Sequence, residues 1–281
     1  MAIPTFVGVT EGRNGDPEGS GSLTLTVPAG AAGDLLVAVV GVKVNPSTST
    51  PAGWTPIIAG FNGCVSASDP QIGIRAQLSS WWKISDGSET SVTVSFGAGV
   101  TRQAAGGVLR YSGADSANPI DAFGCDKGTS TGPTAPTVTT TTADDRVLRL
   151  VASDADDAQS LFTTEPATKR FELASTSVFG PGSSYTGDAV VVAASDAGQA
   201  AAGASGTAAW ALPSADQWAA QTVAIRSAGG GGNGDAQEGC LAAIVAIIRK
   251  IIEAIIAAIN KAIKALVAWI KRKRAGRSSG S

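Results

Sequence analysis

Hydrophobic and polar residues alternate strictly along two short segments of the N-terminal half. Every second residue is apolar in 22–27 and again in 91–96, and this period of two places one face of a strand inward and the other in water. Segment 35–42 is apolar on both faces, which is typical of a central strand covered on both sides. These patterns predict β-strands.

Similar segments continue as far as residue 226, separated by clusters of Gly, Pro, Asn, Asp and Ser. They are 72–84, 104–112, 136–142, 145–153, 168–175, 184–194, 207–212 and 217–226. Many short strands with frequent turn signals are typical of two-sheet β folds. We therefore predict a mainly β fold, a jelly-roll-like β-sandwich over residues 1–227.

A weak internal echo links 31–37 with 142–148. Each segment follows a threonine-rich strand and opens an apolar one. A duplication of half a sandwich would produce this likeness, and so would two similar hairpin corners. We prefer the corners as the simpler interpretation.

The pattern changes after residue 227. Residues 228–239 are rich in glycine, which predicts a flexible linker, and 276–281 are expected to be a disordered tail. Between them, in 240–275, apolar residues recur every three or four positions, which predicts one long amphipathic α-helix. The stripe consists of Leu241, Ile244, Ile248, Ile252, Ile255, Ile259, Ile263, Leu266 and Ile270.

Such an apolar stripe has to be buried. Isoleucine-rich seams favour three or more helices, so we expect the stripe to hold copies of the chain together as a trimer or higher oligomer. Docking on the β domain is one alternative. Insertion into a membrane surface is another, because Trp269 and the basic run 271–274 fit an interfacial helix.

The 281 residues include no histidine, and this absence changes the picture most. Ser-His-Asp and Cys-His triads, histidine zinc sites and imidazole acid-base catalysis are all excluded. A carboxylate pair is the remaining catalytic option. The loop with Asp154, Asp156 and Asp157 offers oxygen ligands for calcium but lacks the glycine and distal glutamate of an EF-hand. We therefore predict a protein that is not an enzyme and that uses no cofactor or metal.

The net charge of −2 hides an asymmetry between the two parts of the chain. Residues 1–227 contain 12 Lys and Arg against 20 Asp and Glu, whereas residues 228–281 contain 9 against 3. An acidic body does not attract nucleic acid, so no nucleic-acid partner is expected. The N-terminus has no basic start and no apolar core, so we also expect synthesis in a cytoplasm without a signal peptide.

The cysteines and tryptophans carry two further expectations. Cys64, Cys125 and Cys240 form no CxxC pair; Cys64 and Cys125 are either a disulfide or two buried free thiols, and we prefer the thiols. Alternation along 72–84 places Trp82 on the core face and Trp81 on the other. Trp81 is therefore expected to be an exposed or interface aromatic. We prefer packing against a loop or a neighbouring protomer, and the alternative is binding of a host cell-surface glycan.

Several phrases in 22–227 resemble a β-sandwich domain of bacteriophage minor tail and other virion surface proteins, those of actinobacteriophages in particular. The likeness rests on 27–30 (VPAG), 33–37 (GDLLV), 51–54 (PAGW), 82–83 (WK), 111–113 (YSG), 118–121 (NPID), 134–137 (TAPT), 196–199 (DAGQ) and 203–206 (GASG). The isoleucine-rich helix departs from this pattern.

The resemblance implies a structural protein of the virion, with no catalytic residues. A minor tail protein fits best, displaying its sandwich for attachment to the host while the helix binds other copies or other virion proteins. A capsid decoration protein is one alternative, and a membrane-active module that acts during host entry is another. Release of phage by lysis would also explain how a chain without a signal peptide comes to work outside the cell.

Overall fold

The computed structural model of the chain describes residues 2–14, 19–43, 48–59, 64–65, 76–97, 102–155, 162–176 and 189–229. Within these ranges the regular secondary structure is entirely β, and neighbouring strands are antiparallel. The prediction of a mainly β fold is therefore confirmed. No helix in the described ranges is long and apolar enough to cross a membrane. The predicted helix of 240–275 lies outside these ranges, as do the tail and the linker beyond Gly229.

The first half of the chain builds one large sheet and a separate two-stranded ribbon. Its strands are β1 (Thr5–Arg13), β2 (Ser22–Thr26), β3 (Leu35–Lys43), β4 (Thr55–Ile58), β5 (Cys64–Val65), β6 (Ala76–Ile84), β7 (Ser91–Ser95) and β8 (Ala104–Ser112). The strand order in the sheet is β1-β8-β3-β6-β4, and β5 also pairs with β6. Strands β2 and β7 form the ribbon.

The second half of the chain builds a sheet of the same kind. Its strands are β9 (Ile120–Ser130), β10 (Thr134–Ala135), β11 (Thr139–Thr140), β12 (Asp145–Ala155), β13 (Thr168–Ala174), β14 (Ala189–Gln199), β15 (Gly203–Ala204), β16 (Ala208–Ala209) and β17 (Asp216–Ile225). The order in the sheet is β13-β14-β12-β17-β9, while β10 pairs with β16 and β11 with β15.

The two sheets face each other across a shared core, and each is also covered on its outer face. Alternate residues of β3 point in opposite directions, so that Leu35 and Val37 pack toward the second sheet while Leu36 and Ala38 pack under the ribbon. Because both faces of β3 are covered, the whole strand is buried, as its doubly apolar sequence predicts. On the far side, Trp210 and its neighbours cover the second sheet.

The two sheets repeat one topology. Read from its other edge, the second sheet has the order β9-β17-β12-β14-β13. This order matches β1-β8-β3-β6-β4 of the first sheet strand for strand, and equivalent strands also follow one another in the same order along the chain. A bulge between Pro56 and Ile58, opposite Ser80, has its counterpart between Lys169 and Phe171, opposite Ala194. The echoed segments 31–37 and 142–148 lead into the equivalent strands β3 and β12. Matching order and matching bulges favour duplication over two similar corners.

Several strand predictions are confirmed only in part. Segment 136–142 contains only the two residues of β11, and segment 207–212 only the two of β16. The sequence pattern missed β1 and β9, the equivalent outer strands of the two sheets, whose residues are half-buried or exposed. An outer strand needs little apolar alternation, because much of its surface faces water.

Candidate functional site

The expected exposure of Trp81 is wrong. Its side chain is 0% exposed and packs with Trp54 beneath the ribbon, whereas Trp82 is only partly buried and packs against the core between the sheets. Alternation separates the two faces correctly, but the ribbon covers the face that was expected to meet solvent. Trp81 therefore offers no surface on which a glycan could stack. The predicted oligomerisation stripe, Leu241 to Ile270, lies outside the described residues.

A buried carboxylate accepts hydrogen bonds from three side chains, two from its own sheet and one, Tyr111, from the opposite sheet. Asp196, at the inner face of β14, is 0% exposed. Its oxygens accept hydrogen bonds from the Tyr111 hydroxyl at 2.8 Å, from Arg170 Nε and Nη2 at 2.8 Å each, and from Arg146 Nη1 at 3.1 Å. The Arg170 guanidinium also lies 4.1 Å above the Phe6 ring. Asp196 thus has four donors and no room for a substrate.

Tyr111 contributes to this cluster from the opposite sheet. Its ring belongs to the core between the sheets, and burial, together with the Asp196 carboxylate, raises the pKa of the phenol well above its usual value. A raised pKa favours the protonated phenol, which donates the hydrogen bond to Asp196. The cluster is a structural link and not an acid-base site.

A second buried ion pair joins Lys43, the last residue of β3, to Asp154 in β12. Each side chain is 1% exposed, and Lys43 Nζ donates to Asp154 Oδ1. The other two residues of the candidate calcium loop, Asp156 and Asp157, lie outside the described residues. No group of three Asp, Glu, Cys or His side chains in the described ranges is arranged to hold a metal ion.

Among the described residues, Asp121 and Asp145 are neighbouring carboxylates whose pKa values shift in opposite directions. Burial and the neighbouring Asp121 carboxylate raise the pKa of Asp145 to about 6. Burial acts in the same direction on Asp121, but hydrogen bonds from Thr141 and Arg226 outweigh it and lower its pKa to about 2. Arg226 Nη2 lies 2.6 Å from Asp121 Oδ1.

Separated pKa values are typical of catalytic acid-base pairs, but accessibility decides against that role here. The side chain of Asp121 and the whole of Asp145 are 0% exposed. Neither residue lines the cavity that is formed mainly by residues 197–208. The pair instead anchors the end of β17, because Arg226 directly follows that strand.

That cavity has a volume of about 530 Å³ and lies against the outer face of the second sheet. Its walls come mainly from the backbone and small side chains of 197–208, together with Val147 and Arg149. Alanine and glycine dominate this lining, so it presents few groups that could orient a ligand.

Arg149 is the charged residue in the cavity wall, and its guanidinium is already engaged. Nη1 donates to the Pro136 carbonyl at 3.0 Å and to Thr222 Oγ1 at 2.5 Å, while Nη2 donates to the carbonyls of Ser205 and Gly206 at 2.8 and 2.9 Å. Burial without a carboxylate partner lowers its pKa to about 10. Arg149 therefore binds two loops, one at Pro136 and one at Ser205 and Gly206, to the outer face of the second sheet.

The cysteine prediction is half right. Cys64 and Cys125 are both free thiols, as expected, but only Cys64 is buried. Cys125 is exposed because it lies in β9, an outer strand of the second sheet.

The charged residues of these clusters come from strands far apart in sequence. Lys43 and Asp154, for example, are separated by 111 positions. Each of them appears in the sequence only as a charged residue at the end of an apolar run, and this pattern does not indicate which residue will be its partner.

Comparison of the chain with protein-family models, with curated proteins and with solved structures gives no match.

Proposed function

We propose that the chain is a structural protein of a bacteriophage virion, in which the duplicated β domain is displayed outward for attachment to the host surface. Its position is that of a minor tail protein. We interpret the two facing sheets, one from each half, as a single jelly-roll-like β-sandwich with a shared core. The chain performs no catalysis in this proposal and needs no cofactor.

One observation carries the proposal: three buried polar groups of the described residues hold layers of the fold together. Asp196 accepts four hydrogen bonds, Arg149 donates four, and Lys43 is paired with Asp154. Buried charges are costly unless they are satisfied, so this fold uses its polar interior to keep the layers in one arrangement. Such a use suits a body that presents a surface, whereas an enzyme leaves reactive groups open to a substrate.

The acidic β domain and the basic C-terminal segment have complementary parts in this proposal. The predicted linker lets the domain reach outward, and the isoleucine stripe gathers copies or docks them onto other virion proteins. The sequence resemblance to virion surface proteins points in the same direction.

Labelling of intact particles tests the location. Antibodies against residues 1–227 and gold conjugates, applied to purified phage that carries this chain, should mark the tail. Gold over the capsid would replace the tail assignment by that of a decoration protein. Particles without label, in preparations where the protein is detected only in the soluble lysate, would overturn the virion proposal.

Light scattering tests the division of labour between the two parts. The full chain should be a trimer or a higher oligomer, and a chain ending at residue 234 should be a monomer with the same far-ultraviolet β spectrum. A monomeric full chain would contradict the role of the stripe in self-association. Leakage of anionic vesicles on addition of the full chain, but not of the shortened chain, would instead favour the membrane-active alternative.

A further inference from the structure

The thiols of Cys64 and Cys125 meet at one margin of the two facing sheets. Cys64 lies in β5, which pairs with β6 at the margin of the first sheet, and Cys125 lies in β9, the outer strand of the second. Cys64 Sγ lies 3.0 Å from the carbonyl oxygen of Asp126 and 3.5 Å from that of Ala220, both in the second sheet. The Cys64 side chain thus crosses between the sheets.

The two side chains also hydrogen-bond each other, although 61 positions separate them in the sequence. Their sulfur atoms are therefore neighbours that belong to opposite halves of the duplicated fold. A disulfide between them would therefore join two side chains that already contact each other.

The surroundings of the two thiols differ in a way that suits stepwise oxidation. Cys125 is exposed, and the hydrogen bond from Cys64, together with the positive charge of Lys127, lowers the pKa of its thiol. Cys64 is 1% exposed, and the hydrogen bond with Cys125, together with burial, raises the pKa of its thiol. Cys125 is thus the accessible nucleophile, and Cys64 is a shielded partner beside it.

We propose that Cys64 and Cys125 form an intramolecular disulfide that joins the two sheets when the protein meets a small-molecule disulfide such as oxidised glutathione. The Cys125 thiolate attacks one sulfur of the small disulfide, and one small thiolate leaves. Cys64 then loses its proton and attacks Cys125 Sγ, which expels the second small thiolate. Two protein thiols are oxidised, and one small disulfide is reduced to two thiols.

The cross-link is absent where thiols are kept reduced and forms where they are not. It closes a long loop between the two halves, and a long closed loop restricts the unfolded chain strongly. This inference does not rest on the proposed virion function. A chain made in a reducing cytoplasm and then released would acquire the link after release.

The test uses the full chain with Cys240→Ser, so that the third cysteine cannot exchange. The reduced protein is incubated with oxidised glutathione at about pH 8, where a thiol of lowered pKa reacts well. Its mass should fall by two hydrogens, peptide mapping should recover the Cys64–Cys125 link, and the thermal midpoint should rise by roughly 5–10 °C. Dithiothreitol should reverse all three changes.

Two single variants in the same background separate the steps. With Cys64→Ser the reaction should stop at one glutathione attached to Cys125. With Cys125→Ser the native protein should remain unmodified, because Cys64 is shielded. The inference is overturned if the parent protein keeps two free thiols or stops at the glutathione adduct, if it links only between chains, or if the bond forms without raising the thermal midpoint.

Discussion

Lys43 and Asp154 occupy equivalent positions in the two halves and pair with each other across the interface between the sheets. Lys43 pairs with Ala76, and Ala76 precedes Ser80, the residue opposite the first bulge, by four positions. In the second half Asp154 pairs with Val190, and Val190 precedes Ala194, the residue opposite the second bulge, by the same four positions. The duplication therefore brings two equivalent positions together. Two buried charged side chains can lie side by side there because one is a cation and the other an anion.

Removal of one partner from this pair should cost much more than removal of both. Asp154→Leu removes the Asp154 carboxylate from the buried Lys43 ammonium and is expected to lower the free energy of unfolding by about 3–5 kcal/mol. Lys43→Met combined with Asp154→Leu should recover most of that loss. Urea unfolding of the two variants and the parent measures both values. Equal losses in the single and the double variant would show that the pair is not coupled.

In the Asp196 cluster, the ion pairs with the two arginines should contribute more to the free energy of unfolding than the hydrogen bond from Tyr111. Asp196→Asn leaves two partly buried guanidinium groups without their counter-charge, and we expect a loss of about 3 kcal/mol or more. Tyr111→Phe removes one hydrogen bond and keeps the packed ring, so its cost should be about 1–2 kcal/mol. A double-mutant cycle on these two positions, followed by urea unfolding, gives their coupling. A larger loss for Tyr111→Phe would contradict the ranking.

Asp145 should make the protein less stable as the pH rises. Its pKa is raised from 3.8 to about 6, so between these values the folded state holds a proton that the unfolded state has released. The protonated form stabilises the fold below about pH 4, and this contribution is lost as the pH rises through 6. Asp121, whose pKa is lowered to about 2, acts oppositely, but below pH 4.

Asp145→Asn keeps an oxygen that accepts from Thr142 and cannot ionise. Relative to the parent, this variant should gain stability between pH 4 and 7, by up to about 3 kcal/mol. Unfolding curves at several pH values test the slope. A parent protein whose stability is flat or rising from pH 4 to 6, with the variant parallel to it, would contradict the assignment.

Gly106 in β8 permits the close approach of β3. A Cβ atom there would lie 2.1 Å from the Val39 carbonyl oxygen, which is backbone and cannot move aside. Gly106→Ala is therefore expected to cost about 3 kcal/mol or more, at the upper end of overpacking. Gly132→Ala is the matched control, since a Cβ atom at that position would have nothing within 4 Å. Similar thermal midpoints for the two variants would refute the steric argument.

The sequence alone predicts the secondary structure well where each strand carries its own signal. Period-two alternation in 22–27 and 91–96 specifies β2 and β7, and the doubly apolar run of 35–42 specifies a fully buried β3. These signals are local, because a strand displays its two faces in its own residues. Strand β9 carries no such signal, because its residues are half-buried or exposed along its whole length and no apolar face alternates with a polar one.

Only the tertiary structure decides what lies against each face. The alternation that separates Trp81 from Trp82 is the same whether the Trp81 face meets water or the ribbon, and only the ribbon's position shows that it is buried. Likewise, the partners Lys43 with Asp154, Tyr111 with Asp196 and Cys64 with Cys125 come from strands on opposite sheets. Strand periodicity reports the direction of a side chain, whereas pairing between distant strands depends on how the whole chain packs.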